Sequence, residues 1–347
     1  MRTLPLLLAT SFITSALIVS PGAHAHPGHE GNEADTGSFV FSSFAAVAKA
    51  STATGANQVT VTVEGDTRTL RSNGMPDHQP GQFPNRGNPN SLSPQVYEFH
   101  MTTKPQASSQ PTLARGAWFG VAVNGVPFEP GTAETWQGDR RWTYEALGGF
   151  INLGLDQHHA HVQPTGAYHY HALPTGLITK LGGDSTTMRL IGWAADGFPI
   201  YTDVAHTNAS DAASPLKKMR SSYQLRKGQR DGGPGGTPDG RFTTDFEYVP
   251  DSGNLDECNG RTGVTLEYPQ GTYYYCITEN FPWISRLWHG TPDPTFFKQR
   301  GPGPGPGAGP GLGQGQRPQG RPGQRGGPPP DSPPPPFGPP PGERPPF

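Results

Sequence analysis

Regular alternation of apolar and polar residues begins at Gln58. Val59, Val61 and Val63 are separated by Thr60 and Thr62, the two-residue period of a strand with one buried face. A second strand is expected from Gln95 to Thr102. Between them, Ser72-Asn73-Gly74-Met75-Pro76-Asp77-His78 and Phe83-Pro84-Asn85-Arg86-Gly87-Asn88-Pro89-Asn90 carry too many turn formers for regular structure. Trp118 to Phe128 sets Asn124-Gly125 between apolar runs, which predicts a hairpin with a type I′ turn. Leu190 to Thr202 repeats that logic with Asp196-Gly197. Gln229 to Gly240 is again rich in Gly and Pro, and Phe242 to Val249 and Gly271 to Thr278 read as strands. Long helical periodicity is absent. The expected fold class is therefore mainly β, a compact sandwich or barrel-like single domain with long Gly/Pro-rich loops. Up-and-down and Greek-key topologies both remain open.

Composition adds the ends to this picture. With 48 Gly, 41 Pro and only 32% hydrophobic residues, part of the chain cannot bury a core. Arg2, the apolar run Leu4 to Ser20 and the Ala23-His24-Ala25 pattern predict a signal peptide over 1–25, cleaved after Ala25. The run is short for a membrane span, and the mature chain is expected to hold no transmembrane segment. A flexible segment is expected over 26–57, with an apolar patch from Phe39 to Ala50 that reads as a short helix or a linker. The β-domain is expected over 58–298 and a disordered Pro/Gly-rich tail over 299–347, either a solvated spacer or a contact for a cell-surface or envelope partner. The expected location is periplasmic or secreted. A formal net charge of −2 gives no basis for binding nucleic acid.

Cys258 and Cys276 are the two cysteines. In an exported chain a lone pair is expected to form a disulfide, worth about 3 kcal/mol in the chain-entropy picture; the alternative is a thiolate metal ligand.

Five of the twelve histidines lie between Asp156 and His171. His159-Ala160-His161 and His169-Tyr170-His171 flank Gln163-Pro164-Thr165-Gly166, with His158 just before. Residues two apart on a strand share a face, so each pair offers two imidazoles. Pro164 and Thr165 suit the central positions of a type I turn, and Gly166 the left-handed position that follows. That three-residue loop sets His161 opposite His169 and His159 opposite His171, with all four imidazoles on one face. A two-residue loop would split them. Such a cluster suits zinc or copper, while Tyr168 and Tyr170 face the other side and pack. The blander reading is a hydrogen-bonded polar cluster.

Gly166-Ala167-Tyr168-His169-Tyr170-His171, followed by Leu173-Pro174-Thr175-Gly176-Leu177, resembles the signature of the bacterial YHYH-domain proteins. Ser72 to His78, Phe83-Pro84-Asn85, Asn124 to Phe128, Asp196 to Tyr201 and Leu255 to Gly260 fit the same resemblance, which spans roughly Gln58 to Phe297. It implies an exported single-domain protein and supplies no settled activity. His78, His161, His169 and His171 match the family's recurrent histidines; His158 and His159 do not. Tyr273-Tyr274-Tyr275-Cys276 stands where relatives often carry a histidine between tyrosines.

The expected function is an exported metal-binding protein whose zinc or copper ion is held by His161, His169 and His171, with His78 or His159 as a fourth ligand. Asp196 and Glu257 are candidate carboxylate bases; whether the chain is an enzyme stays open. Other candidates are weaker. A new N-terminus at His26 offers a copper-chelating amine by analogy, Asp251 to Glu257 groups oxygen ligands without EF-hand spacing, and His100, His206 and His289 read as structural. No G-x-S-x-G, H-E-x-x-H or phosphate-binding Gly loop occurs. The alternative function is a non-catalytic surface module that binds glycan or protein through exposed Trp136, Trp142 and Trp283.

Overall fold

Val59–Glu64, Thr67–Ser72 and Tyr97–Thr102 form a three-stranded antiparallel sheet, paired from Val59↔Ser72 to Glu64↔Thr67 and from Thr67↔Thr102 to Ser72↔Tyr97. The computed structural model describes residues 55–298. The signal-peptide pattern, His26, the patch from Phe39 to Ala50 and the tail lie outside the described residues. The core side of this sheet carries Leu70, Phe99 and Met101, all buried. The valine alternation marks a strand but not a buried face: Val61 and Val63 are 40% and 51% exposed on the sheet's edge strand. β-branched residues favour the pleated backbone whichever way they point.

The chain is mainly β, and its largest element is a mixed sheet of eight strands. Their spatial order is Gly260–Gly263, Thr272–Cys276, Pro199–Tyr201, Leu190–Ala194, Gly120–Ala122, Pro127–Phe128, Tyr168–Tyr170 and Ala160–Val162. The order hides a repeat. Gly120 to Phe128 pairs Gly120↔Phe128 and Val121↔Pro127, and Gly192 to Ile200 pairs Gly192↔Ile200 and Trp193↔Pro199. Tyr170 then runs parallel beside Phe128 as Tyr275 does beside Ile200. Finally Tyr170↔Ala160 and His169↔His161 match Tyr275↔Gly260 and Tyr274↔Arg261. The halves meet at Gly120↔Ala194, Val121↔Trp193 and Ala122↔Gly192, a reciprocal antiparallel pair. Glycine is required at both ends of this seam. A Cβ on Gly120 would strike the Trp193 carbonyl oxygen, and one on Gly192 the Val121 carbonyl oxygen.

One loop type recurs through both halves. Gly125, Gly166 and Gly197 each donate to the carbonyl three residues back (Ala122, Gln163 and Ala194), at 2.8–2.9 Å, with φ of +82°, +86° and +89°. This is the three-residue loop expected at Gly166. At Asn124-Gly125 and Asp196-Gly197 it replaces the expected type I′ turn, which needs two left-handed residues; only the glycine is left-handed in each. Asn124 and Asp196 instead turn their side chains inward, to Tyr170 and Tyr275.

Three further differences have local causes. A short helix, Thr175–Lys180, follows the hairpin with no side-chain cap, held by burial of Leu177 and Ile178. The strand expected over Phe242 to Val249 shortens to Phe246–Tyr248, because Thr243–Asp245 makes a 3₁₀ turn closed by the Asp245 carboxylate. The expected disulfide is absent: Cys258 and Cys276 are free and buried. Asn259, not Cys258, lies across from Cys276, which donates its N–H to the Asn259 carbonyl. Along Thr272–Cys276 the tyrosines 273 and 275 share one face and Cys276 takes the other. The Cys258 thiol lies on the Tyr273 side, so the two sulfurs point to opposite faces.

Candidate metal centre

The loop Pro164-Thr165-Gly166 sets the hairpin register as its chemistry predicts. Gln163 accepts from Gly166 and donates to the Ala167 carbonyl, and His161 pairs directly with His169. His171 extends the strand past Tyr170 and lies on the same face as His169, two residues on. The ligand atoms of His161, His169 and His171 converge. His171 Nε2 lies 3.0 Å from His169 Nε2 and 3.1 Å from His161 Nε2. Tetrahedral imidazole ligands of a zinc ion stand roughly 3.3 Å apart.

The backbone behind the rings bears on which nitrogens carry protons. His161 Nδ1 lies 2.9 Å from the Leu153 carbonyl and His169 Nδ1 3.2 Å from the Ala167 carbonyl. Carbonyls only accept, so these contacts favour the proton on both Nδ1 atoms and Nε2 lone pairs turned inward, against the Asn88 amide 3.3 Å from His161 Nδ1 and the Glu129 carboxylate 3.2 Å from His169 Nε2, which favour the other tautomer. One N–H on His171 Nε2 can be aimed at only one of them. With both lone pairs inward, the other close contact sets lone pair against lone pair. Extra protonation is disfavoured as well: burial first, and neighbouring imidazoles second, hold His169 and His171 well below the usual histidine range. A cation at the centre would satisfy all three Nε2 atoms. His171 Nδ1 is buried with no hydrogen-bond partner.

Glu129 completes the rim. It follows Phe128, and its N–H bonds the Tyr170 carbonyl. Its Oε2 lies 3.2 Å from His169 Nε2 and accepts from Gln163, while Oε1 pairs with Lys298. The Lys298 ammonium in turn sits 3.8 Å above the Trp118 ring. The histidines and Glu129 open onto a cleft of about 330 Å³, bordered by Asn88, Asn90 and Glu134. The Phe83 to Asn90 loop supports this edge: Asn88 and Asn90 both donate to the Val162 carbonyl, at 2.9 and 2.8 Å. Sequence reading missed Glu129. Its only signal is its place directly after the Asn124 to Phe128 motif.

The other predicted ligands lie elsewhere. His159 does not share the triad face. The run Asp156 to Ala160 forms the same three-residue loop, with His159 in the left-handed position at φ +57°. That conformation breaks strand alternation and sends the imidazole to the Leu173 carbonyl, 2.8 Å away. His158 bonds Thr175 Oγ1 at 2.7 Å. His78 sits on the tyrosine face, its Nε2 2.7 Å from the Tyr170 hydroxyl and its ring 4.3 Å from that of His158. Asn124 donates to the same hydroxyl, and Tyr168 donates to Asp156 Oδ2 at 2.6 Å. The tyrosines of the motif therefore tie three loops to the back of the hairpin.

Neither proposed carboxylate base reaches the triad. Asp196 is buried, accepting from Tyr275 and the Gly290 N–H, and Glu257 is exposed. Asp256 Oδ1 accepts from the Cys258 and Gly260 N–H groups and from the Tyr273 hydroxyl. His289 stacks on Tyr273 at 3.8 Å, His100 pairs with Glu98, and His206 bonds the Ser214 carbonyl. The tryptophans are not an exposed platform: Trp142 and Trp283 are 7% and 9% exposed, and Trp136 is half-buried.

Among the described residues, no helix is long and apolar enough to cross a membrane. Comparison with curated proteins and with solved structures finds no match. The family model described as YHYH protein matches residues 98–290, a stretch that contains the imidazole triad, Glu129 and both halves of the repeat, and the chain belongs to that family.

Proposed function

We propose that this is an exported protein that binds a transition metal, zinc or copper, through His161, His169 and His171. One observation carries the reading: three Nε2 atoms converge, two of them on rings whose Nδ1 atoms face backbone carbonyls. Backbone acceptors on the far nitrogen are the usual way a protein orients imidazole ligands. Glu129 stands at the rim of the triad, its Oε2 beside His169 on the cleft side, where it would orient that ligand. A three-imidazole ion with a water-accessible position supplies Lewis-acid or redox chemistry when bound. The carboxylate, Lys298 and the cleft would then decide what reaches it. The leader pattern over 1–25 supports export to the periplasm or beyond.

The test is metal content. The mature chain, purified without a histidine tag, is expected to carry about one equivalent of zinc or copper by mass spectrometry. His169→Ala and His171→Ala should each abolish stoichiometric binding. Absence of stoichiometric metal, with the same metal affinity in both variants as in the parent, would overturn the reading.

A further inference from the structure

We infer a second binding site, separate from the imidazole triad, that takes a small primary ammonium compound with an apolar body. The site is a cavity of about 360 Å³ lined by His159, Ile178, Asp203, Lys218, Glu279 and Trp283. Asp203 carries the argument. Its residue is 2% exposed, and its Oδ2 is buried without a hydrogen-bond partner. An unsatisfied buried acceptor of this kind costs roughly 1–3 kcal/mol, more when charged. The nearest cation, Lys218 Nζ, stays 3.7 Å from that oxygen and is hydrogen-bonded instead to Glu279 at the cavity mouth.

The charges of the lining select the ligand's sign. The lining carries three carboxylates, Asp184, Asp203 and Glu279, and one ammonium, that of Lys218. The surplus is negative, so an incoming ammonium is favoured and a carboxylate or phosphate is opposed. The walls select its body. Leu147, Ala172, Leu173 and Ile178 are apolar, and the Trp283 indole adds a π surface. Two of the residues that shape the space, His159 and Trp283, hold left-handed backbones at φ +57° and +53°. His159 donates Nδ1–H to the Leu173 carbonyl, which leaves Nε2 as an acceptor. A cavity of this volume sits at the small end of the range for organic ligands.

The probe is 2-phenylethylamine against the folded mature chain, with 2-phenylethanol as the uncharged control, followed by calorimetry or by the Trp283 indole signal in NMR. The amine is expected to bind saturably with one site and at least about tenfold tighter than the alcohol. Asp203→Asn should weaken it at least about tenfold and Glu279→Gln, at the exposed mouth, by less. Lys218→Met, which removes the competing cation, should strengthen it. A lining that is merely structural would not give that gain. Equal binding of amine and alcohol, no saturation up to about 10 mM, or weaker binding in Lys218→Met would overturn the inference. The triad's metal content is measured in the same samples, so failure of this site and failure of the metal reading are told apart.

Discussion

Glu129 Oε2 lies 3.2 Å from His169 Nε2, on the side of the triad that faces the cleft. The contact joins two strands that are neighbours only because Tyr170 runs parallel to Phe128. Glu129→Gln keeps the shape and the bond from Gln163 but removes the charge. It should lower metal affinity roughly 10- to 100-fold, as loss of a weak ligand or ligand-orienting carboxylate does. Competition with a chelator of known affinity measures the change. Unchanged affinity would confine Glu129 to holding Lys298.

The back of the hairpin should matter for stability and little for metal. Tyr170→Phe leaves His78 Nε2 and one Asn124 N–H without their shared hydroxyl partner. The expected loss is about 1–3 kcal/mol in urea unfolding, with metal affinity changed only a few-fold. A large loss of metal with no loss of stability would reverse that division of labour.

Both thiols should be silent in the native chain. Cys258 and Cys276 are each 1% exposed, and burial pushes the Cys276 thiol up to about 12. A thiol-specific reagent should label neither until denaturant is added and both afterwards. Reducing agents should leave the melting temperature unchanged. Quantitative pairing in the purified protein would contradict the opposite-face geometry.

The metal-free chain should lose stability on acidification. In the folded state His169 and His171 are held well below 6.5, by burial first and by the neighbouring imidazoles second. The unfolded chain therefore takes up protons first. The stability these histidines contribute is complete above about pH 6.5 and falls as pH drops from there toward their lowered folded values. Urea midpoints of the apo-protein measured across this range, beside those of a His169→Asn, His171→Asn double variant, read the effect. A midpoint that rises on acidification would show that the sign is wrong.

The sequence carried the hairpin because its chemistry is local. Pro164, Thr165 and Gly166 specify one loop, and one loop specifies one register. It failed at His159 for the same kind of reason: Asp156 to Ala160 makes that loop too, but with a histidine where glycine usually stands. Glu129 was invisible because it arrives by a parallel, non-local pairing. The internal repeat was open to view, since Gly120-Val121-Ala122-Val123-Asn124-Gly125-Val126-Pro127-Phe128 and Gly192-Trp193-Ala194-Ala195-Asp196-Gly197-Phe198-Pro199-Ile200 share four positions and exchange Asn for Asp at a fifth. Alignment of the halves also explains why the second holds no triad. Arg261, Tyr274 and Cys276 take the places of His161, His169 and His171, and the Arg261 guanidinium bonds the Tyr274 hydroxyl. The cysteine pairing failed because spacing counts residues, whereas a disulfide needs a shared face.

The strand Tyr168–Tyr170 uses its two faces for different work, imidazoles toward the cleft and phenols toward the loops behind. Side chains alternate with every residue, so length changes in the Pro164-Thr165-Gly166 loop have a parity. Loss or gain of a single residue that slips the pairing by one would turn the tyrosines into the cleft and the histidines onto His78 and Asn124, abolishing both networks at once. A change of two restores each side chain to its own face. Among natural or engineered variants of this loop, odd and even lengths should therefore behave as two separate classes.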